Sequence, residues 1–301
     1  MMQLRPFIQE KDVSADFNTL KGLQIMLKRI LTSVVGVAIL LPVLIFSDTY
    51  VFPISVTIVS LIALYEMFSC IGLKNKNWAT LPAYLIGGIL PILVKVMHGS
   101  SHLGNIMLAL IVAYIIYLFS IIIFRNTHYS INEMTLAFMT SVYIIAGFLS
   151  IVFLRELYGN IYLLVFIGAW ITDIFAYFSG RFFGKHKLCE AVSPKKTIEG
   201  SIGGIIFCSL SFVVFAIITK GFNQHISYYL IYSALGIIVS AISQIGDLSM
   251  SLIKRQYKIK DFGKIFPGHG GILDRFDSII AVALALFIMV STMNVFNINI
   301  I

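Results

Sequence analysis

Long runs of apolar residues, separated by short polar links, make up most of the chain after residue 29. A membrane-spanning helix needs about 20 mostly apolar residues, and nine stretches meet that need. They are residues 30–47, 51–72, 79–97, 104–124, 134–153, 161–183, 202–219, 227–253 and 272–293. The pattern predicts an all-α, polytopic integral membrane protein with about nine transmembrane helices.

Two of the links between these stretches are long and polar, at residues 184–201 and 254–271. They divide the chain unevenly. We expect an N-terminal segment (1–29), a set of N-terminal transmembrane helices (30–160) and a C-terminal transmembrane region (161–301). The last region holds both long links, and we expect it to be the catalytic part.

The composition agrees with a membrane protein, because 58% of the residues are hydrophobic and only 12% are charged. Soluble domains carry roughly 25% charged residues. The three cysteines form no CxxC pair, which argues against a zinc site or a disulfide scaffold.

The net charge of +8 would also suit a nucleic-acid-binding protein, but its distribution has a simpler explanation. If the N-terminus is cytoplasmic, all of the 22 lysines and arginines except Lys95, Arg155 and Lys220 fall on the cytoplasmic side. That bias is the positive-inside rule. We therefore expect a cytoplasmic N-terminus, both long links in the cytoplasm, and no nucleic-acid partner.

Five acidic residues lie where an ionised carboxylate is costly in a bilayer. Glu66, Asp173 and Asp247 fall inside predicted spans, and Asp274 and Asp277 occupy the first turns of the last span. Asp274 and Asp277 share one helix face. We expect the aspartates to meet in a polar cavity that opens to the cytoplasm.

Carboxylates beside cations suit a divalent metal and its phosphate ligands. Three of these acids also have structural alternatives. Asp173 would serve as an ion-pair partner between helices, Glu66 as a hydrogen-bond acceptor near a helix end, and Asp277 as a counter-charge to a helix N-terminus.

Both long links contain glycines and cations. In the second link, Pro267 to Gly271 reads PGHGG just before a predicted helix. Glycines let backbone N–H groups approach an anion there, although such loops also merely turn the chain. His269 is either an ordinary loop histidine or a group that contacts phosphate or accepts a proton.

In the first link, Lys195 and Lys196 with Thr197 suit a nucleotide triphosphate. Alternatively, Ser193 and Pro194, followed by Thr197 and Glu199, suit the start of a helix. The glycines that follow, Gly200, Gly203 and Gly204, would then allow close helix packing.

The second link and the helix turns around it carry a long pattern of charged, glycine, aromatic and other residues. It comprises Ser251, Lys254, Arg255, Lys260, Asp261, Gly263, Phe266, Pro267, His269, Gly270, Gly271, Asp274, Arg275, Phe276 and Asp277. With Asp247 upstream and the block from Thr172 to Gly200, this resembles the phosphatidate cytidylyltransferase (CDP-diacylglycerol synthase) family. The resemblance covers about the last 130 residues, whereas the first 150 share only their hydrophobic spans.

The resemblance implies a reaction of phosphatidate with CTP that gives CDP-diacylglycerol and pyrophosphate, supported by Mg²⁺ and with room for a second cation. It also implies an all-helical fold with a cavity facing the cytoplasm, commonly in a homodimer. The compact length favours a multi-pass protein of a bacterial plasma membrane.

The roles that we expect from this resemblance fall into three sets. Residues taking part in catalysis are Asp247, Asp274, Lys254, Arg255 and His269. Residues contacting substrate are Lys195, Lys196, Thr197, Ser251, Gly270, Gly271, Arg275 and Asp173. The metal ligands are Asp247, Asp274 and Asp277.

Two other functions stay open from the residues alone. A CTP-dependent lipid-alcohol kinase, or a cytidylyltransferase acting on another lipid, would use similar groups, but a kinase would release CDP instead of pyrophosphate. A secondary transporter would couple ions through intramembrane acids, but the sequence shows no pair of inverted halves.

Overall fold

The computed structural model describes residue 32 and residues 34–125, 127–266, 268 and 270–296. The predicted N-terminal segment, residues 1–29, lies outside the described residues. Nearly all of the described chain is helical.

The helices are numbered in chain order, with one short 3₁₀ turn and one hairpin between them. They are α1 (Val34–Ile45), α2 (Val51–Cys70), α3 (Asn77–Val96), α4 (Leu103–Phe124), α5 (Ile131–Tyr158), the 3₁₀ turn Gly159–Tyr162, α6 (Leu163–Phe183), β1 (Lys187–Cys189), β2 (Ser193–Thr197), α7 (Ile198–Lys220), α8 (Ile226–Gln256) and α9 (Leu273–Val295).

Seven helical segments of the described chain are long and apolar enough to cross a membrane. The prediction of an all-helical, polytopic membrane protein is therefore confirmed, but the count of nine is not. One segment, Ile131–Phe183, runs for 53 residues and contains both α5 and α6, which were predicted as separate spans. The first predicted span, 30–47, is described only as the shorter helix α1.

Within the described residues, a small antiparallel hairpin departs from the helices that the sequence pattern predicted. Strands β1 and β2 pair with Lys187 opposite Thr197 and Cys189 opposite Ser193. The hairpin lies in the first long link, directly before α7. Thr197 ends β2 and caps α7, because its Oγ1 accepts a hydrogen bond from the Gly200 N–H at 3.1 Å.

The helices pack as two groups joined by α9. Helices α2, α3 and α5 contact one another, and α6, α7 and α8 form the second group. Helix α9 packs against α8 and α6 on one side and against α5 and α2 on the other. Helix α4 lies at the edge, where it contacts α3 and α5.

Polar side chains tie the helix ends together at the end of the bundle opposite the hairpin. The pairs there are Lys95–Glu156, Arg155–Asp48 and Tyr158–Ser291. A different pair, Lys76–Glu133, joins the start of α3 to the start of α5. The loop between α5 and α6 therefore lies beside the C-terminal end of α9, far from the start of α5.

Helices α6 and α7 approach each other closely through small residues. A Cβ atom on Gly200 would lie 2.6 Å from the Ala176 carbonyl oxygen, and one on Gly203 would collide with the Ser179 side chain. The sequence interpretation of these glycines as packing positions is thereby supported. Inside a membrane, burial from water does not drive helices together. Small residues there allow the close backbone contact by which helices associate.

We predict that Gly203→Ala destabilises the protein by about 1–3 kcal/mol, the usual cost of overpacking a filled interface. The measurement is the thermal transition of the purified protein in detergent. Gly104→Ala is the matched control, because a Cβ atom there meets nothing within 4 Å. Gly203→Ala should lower the transition less in a Ser179→Gly background than in wild type, because that background lacks the atoms that the new Cβ would strike. An equal loss in both backgrounds would contradict the proposed clash.

Candidate active site

Asp274, in the first turn of α9, is buried and fully engaged by donors. Its Oδ1 lies 2.9 Å from Lys254 Nζ, and its Oδ2 accepts the Phe262 and Gly271 N–H groups at 2.8 and 3.0 Å. The side chains of Lys254 and Asp274 are only 12% and 3% exposed. This carboxylate therefore joins α8, α9 and the second long link.

Glu66, near the end of α2, holds the start of α9 in the same region. Its Oε1 accepts the Ile272 N–H at 3.0 Å and its Oε2 accepts the Leu273 N–H at 2.7 Å. The first N–H groups of a helix lack partners within that helix, so a carboxylate is well placed there. The expectation that Glu66 accepts hydrogen bonds near a helix end is confirmed.

The glycines of the second link make room for these two carboxylates. A Cβ atom on Gly263 would lie 2.6 Å from Glu66 Cδ, and one on Gly271 would also strike the Glu66 carboxylate. Gly270 has a φ of +84°, and a Cβ atom there would lie 2.8 Å from Asp274 Oδ2. In the described structure, the glycines thus fold the link around protein carboxylates.

Three further aspartates form a cluster beside this link. Asp173 of α6, Asp247 of α8 and Asp277 of α9 lie close enough to interact electrostatically with one another. Asp173 remains accessible from outside the protein although it lies in the middle of a long helix. The expected convergence of acids from separate spans is therefore observed.

Cations balance part of this negative charge. Lys196, at the end of β2, forms an ion pair with Asp247. Lys254 Nζ lies 4.0 Å from Asp277 Oδ2, besides its contact with Asp274. Arg275 is exposed and interacts electrostatically with Asp173. Acidic and cationic side chains from β2, α6, α8 and α9 therefore lie next to one another.

The hairpin that carries Lys195 and Lys196 is anchored by Glu199 in the first turn of α7. Its carboxylate accepts the Lys185 and His186 N–H groups and lies 2.7 Å from His186 Nδ1. Lys195 itself is exposed on β2. The hairpin thus presents one lysine outward while the next reaches the aspartate cluster.

The remaining predicted residues take several places. Ser251 is half-buried on α8, one turn beyond Asp247, and Arg255 follows at the exposed end of that helix, where its Nε lies 3.5 Å from the Val192 carbonyl oxygen. Thr197 acts as a helix cap. His269 lies outside the described residues, so its predicted role stays a prediction.

The described residues contain no group of three or more His, Cys, Asp or Glu arranged as a metal site. Mg²⁺ does not need such a cage, because it commonly uses one or two carboxylates together with water and substrate phosphate oxygens. Asp247 and Asp277, with Asp173 nearby, offer hard oxygen donors of that kind. Asp274 fits this use less well, because both of its oxygens already accept hydrogen bonds.

Comparison of the chain with known proteins identifies a matching family and several similar proteins. Residues 27–293 match the model of the cytidylyltransferase family. Proteins named phosphatidate cytidylyltransferase are similar over 83% of this chain and 93% of their own length: those of Staphylococcus haemolyticus (strain JCSC1435) at 34% identity and Staphylococcus aureus (strain COL) at 33%. The Staphylococcus saprophyticus protein of the same name is 34% identical with the same coverage.

We predict that Asp274→Asn strongly destabilises the fold, because it leaves the Lys254 ammonium buried without its main counter-charge. Breaking one side of a buried ion pair costs about 3–5 kcal/mol. Asp48→Asn is the matched control, since the Asp48 side chain is 81% exposed in its pair with Arg155. Equal thermal transitions for both variants in detergent would show that Asp274 does not hold the link.

Proposed function

Because the chain belongs to the cytidylyltransferase family, we propose that it transfers CMP from CTP to phosphatidate, giving CDP-diacylglycerol and pyrophosphate. It is a nucleotidyltransferase enzyme of phospholipid synthesis. The observation that carries the proposed site is the alternation of aspartates and cations across β2, α6, α8 and α9. The family match favours neither the lipid-alcohol kinase nor the transporter.

The chemistry asks mainly for positioning and charge neutralisation. A phosphate oxygen of phosphatidate forms a bond to the α-phosphorus of CTP, and the bond from that phosphorus to the bridging oxygen breaks. The electron pair leaves with pyrophosphate. A phosphate monoester is largely ionised at pH 7, because its second pKa is about 6. No strong general base is needed, and none is assigned to His269.

We propose that cations on three elements contact the phosphates. Lys195 and Lys196 approach from the hairpin, Arg255 from the end of α8 and Arg275 from α9. Their charge would neutralise the triphosphate and the departing pyrophosphate, which is the usual way proteins stabilise phosphoryl transfer. Lys254 acts differently in this proposal, because its contact with Asp274 and Asp277 keeps it within the protein.

Asp247 and Asp277 are the residues that we propose to hold Mg²⁺, with Asp173 beside them. When bound, the ion would neutralise charge on the phosphate oxygens. Asp274 then supports this site by fixing the start of α9, which carries Asp277 one turn later. The expected second cation remains a prediction.

We further propose nine membrane crossings, with the N-terminus and the active site on the cytoplasmic side of a plasma membrane. The segment Ile131–Phe183 would be about 80 Å long as a straight helix, whereas the hydrocarbon core is about 30 Å thick. The turn Gly159–Tyr162 therefore divides it into two crossings. The pairing of Tyr158 with Ser291 supports this, because it puts that turn level with the end of α9.

The homodimer that the family resemblance implies is retained as part of this proposal. Helix α4 has little of its surface covered within the described chain. Measuring the mass of the detergent-solubilised protein would establish the number of copies.

We predict that Asp247→Asn lowers activity at least about 100-fold, the usual cost of losing one electrostatic contact in an active site. Purified protein in detergent is given phosphatidate, labelled CTP and Mg²⁺, and both labelled lipid and pyrophosphate are measured. Asp48→Asn, the same exchange at the other end of the bundle, should keep wild-type activity. Thermal transitions of both variants verify that they are folded.

The same assay separates the alternative reactions and tests the metal. Release of CDP in place of pyrophosphate by the wild type would identify a kinase. Full activity of folded Asp247→Asn would remove Asp247 from the site but leave the reaction in place. Loss of product on chelation, reversed by Mg²⁺, is the expected result for the metal.

The proposed topology predicts opposite labelling of two cysteines by a membrane-impermeant maleimide. Cys189 of the hairpin, kept as the single cysteine after Cys70→Ala and Cys208→Ala, should react only from the cytoplasmic side. In a second protein with Cys189→Ser added, Asp48→Cys should react only from the outer side. Labelling of both from one side would contradict the alternation of crossings.

A further inference from the structure

We propose that Glu66 is a positioning residue, through which the N-terminal helices set the geometry of the active site. The proposal rests on the function proposed above. Glu66 belongs to α2, outside the C-terminal region that carries the family's residue pattern. It lies 206 residues before Ile272, whose N–H it accepts, so it belongs to no local motif.

The Glu66 side chain is buried, and the start of α9 supplies its hydrogen-bond donors. Glu66 is only 2% exposed, and its carboxylate oxygens accept the N–H groups of Ile272 and Leu273. A buried carboxylate is expensive unless it is well compensated. The compensation here comes from the start of α9, so the position of α9 is fixed relative to α2.

Two glycines of the second link leave room for the Glu66 carboxylate. Gly263 and Gly271 are separated by seven residues, yet a Cβ atom on either would collide with this one group. Gly271 also donates its N–H to Asp274. The link therefore closes around Glu66 on one side and Asp274 on the other.

Residues of the proposed site follow directly along α9. Asp274, Arg275 and Asp277 all fall within the five residues that follow the two N–H groups held by Glu66. A shift of the helix start therefore moves a proposed substrate contact and a proposed metal ligand together. A misplacement of about 1 Å in an active site can cost about 100-fold in rate.

The test compares Glu66→Gln with Glu133→Gln. Glutamine keeps the shape of the side chain but removes its charge and one acceptor. Glu133 also caps a helix, α5, and pairs with Lys76, but the described structure gives it no contact with the second link. Both exchanges should lower the thermal transition, whereas only Glu66→Gln should lower activity per folded molecule.

The readout is kcat and KM for CTP and for phosphatidate, well below the thermal transition of each variant. We expect Glu66→Gln to lower kcat about 10- to 100-fold while each KM changes less, since misplaced reacting groups act mainly on kcat. Glu66→Asp, which keeps the charge but is one carbon shorter, should fall between wild type and Glu66→Gln.

The possible outcomes separate this inference from the proposed function. Inactive, folded wild type would overturn the proposed function. Active wild type with an unchanged kcat in Glu66→Gln would overturn the positioning role alone and leave Glu66 as a purely structural cap. If Glu66→Gln does not fold, Glu66→Asp decides, and a wild-type kcat in that variant would overturn the inference.

Discussion

The ion pair between Lys254 and Asp274 is the interaction on which the proposed site depends. Neither group could stay buried alone, because an isolated charge in a low-dielectric interior is very costly. Together they join the end of α8 to the start of α9, and Asp274 then holds Phe262 and Gly271 through their N–H groups. The long second link has its conformation largely because these charges must be satisfied.

Much of the fold follows from the apolar pattern alone. Predicted spans such as 51–72 and 272–293 match Val51–Cys70 and Leu273–Val295 closely. The pattern was less accurate for α5, predicted as 134–153 but extending over Ile131–Tyr158. Charged residues at both ends of α5 lower the local hydropathy, yet the helix includes them, and partners on α3 and in the links before α2 and α3 pair with them.

The candidate site could be predicted in composition but not in its division of roles. Acids inside predicted spans are costly features that indicate a functional cavity, and Asp173, Asp247 and Asp277 do lie close enough to interact. The sequence could not show that Asp274 is saturated with donors, or that Glu66 would meet the second link. The Asp274 contacts depend on how α8, α9 and the second link fold together, and the Glu66 contacts depend on how α2 packs against the start of α9. No local periodicity in the sequence encodes either arrangement.

The paired charges at the far end of the bundle have a consequence for turnover. Lys95 and Arg155 are neutralised there by Glu156 and Asp48, whereas Lys195 of the hairpin and Arg255 of α8 are exposed on the two elements that carry Lys196 and Asp247. Such a one-sided field enriches anions locally and is screened within about 8 Å at physiological salt. CTP and phosphatidate would gather at this end of the bundle, and so would the anionic lipid product. The field that speeds binding of the substrates would therefore slow release of the lipid product. Product release would then depend on the same cations that attract the substrates.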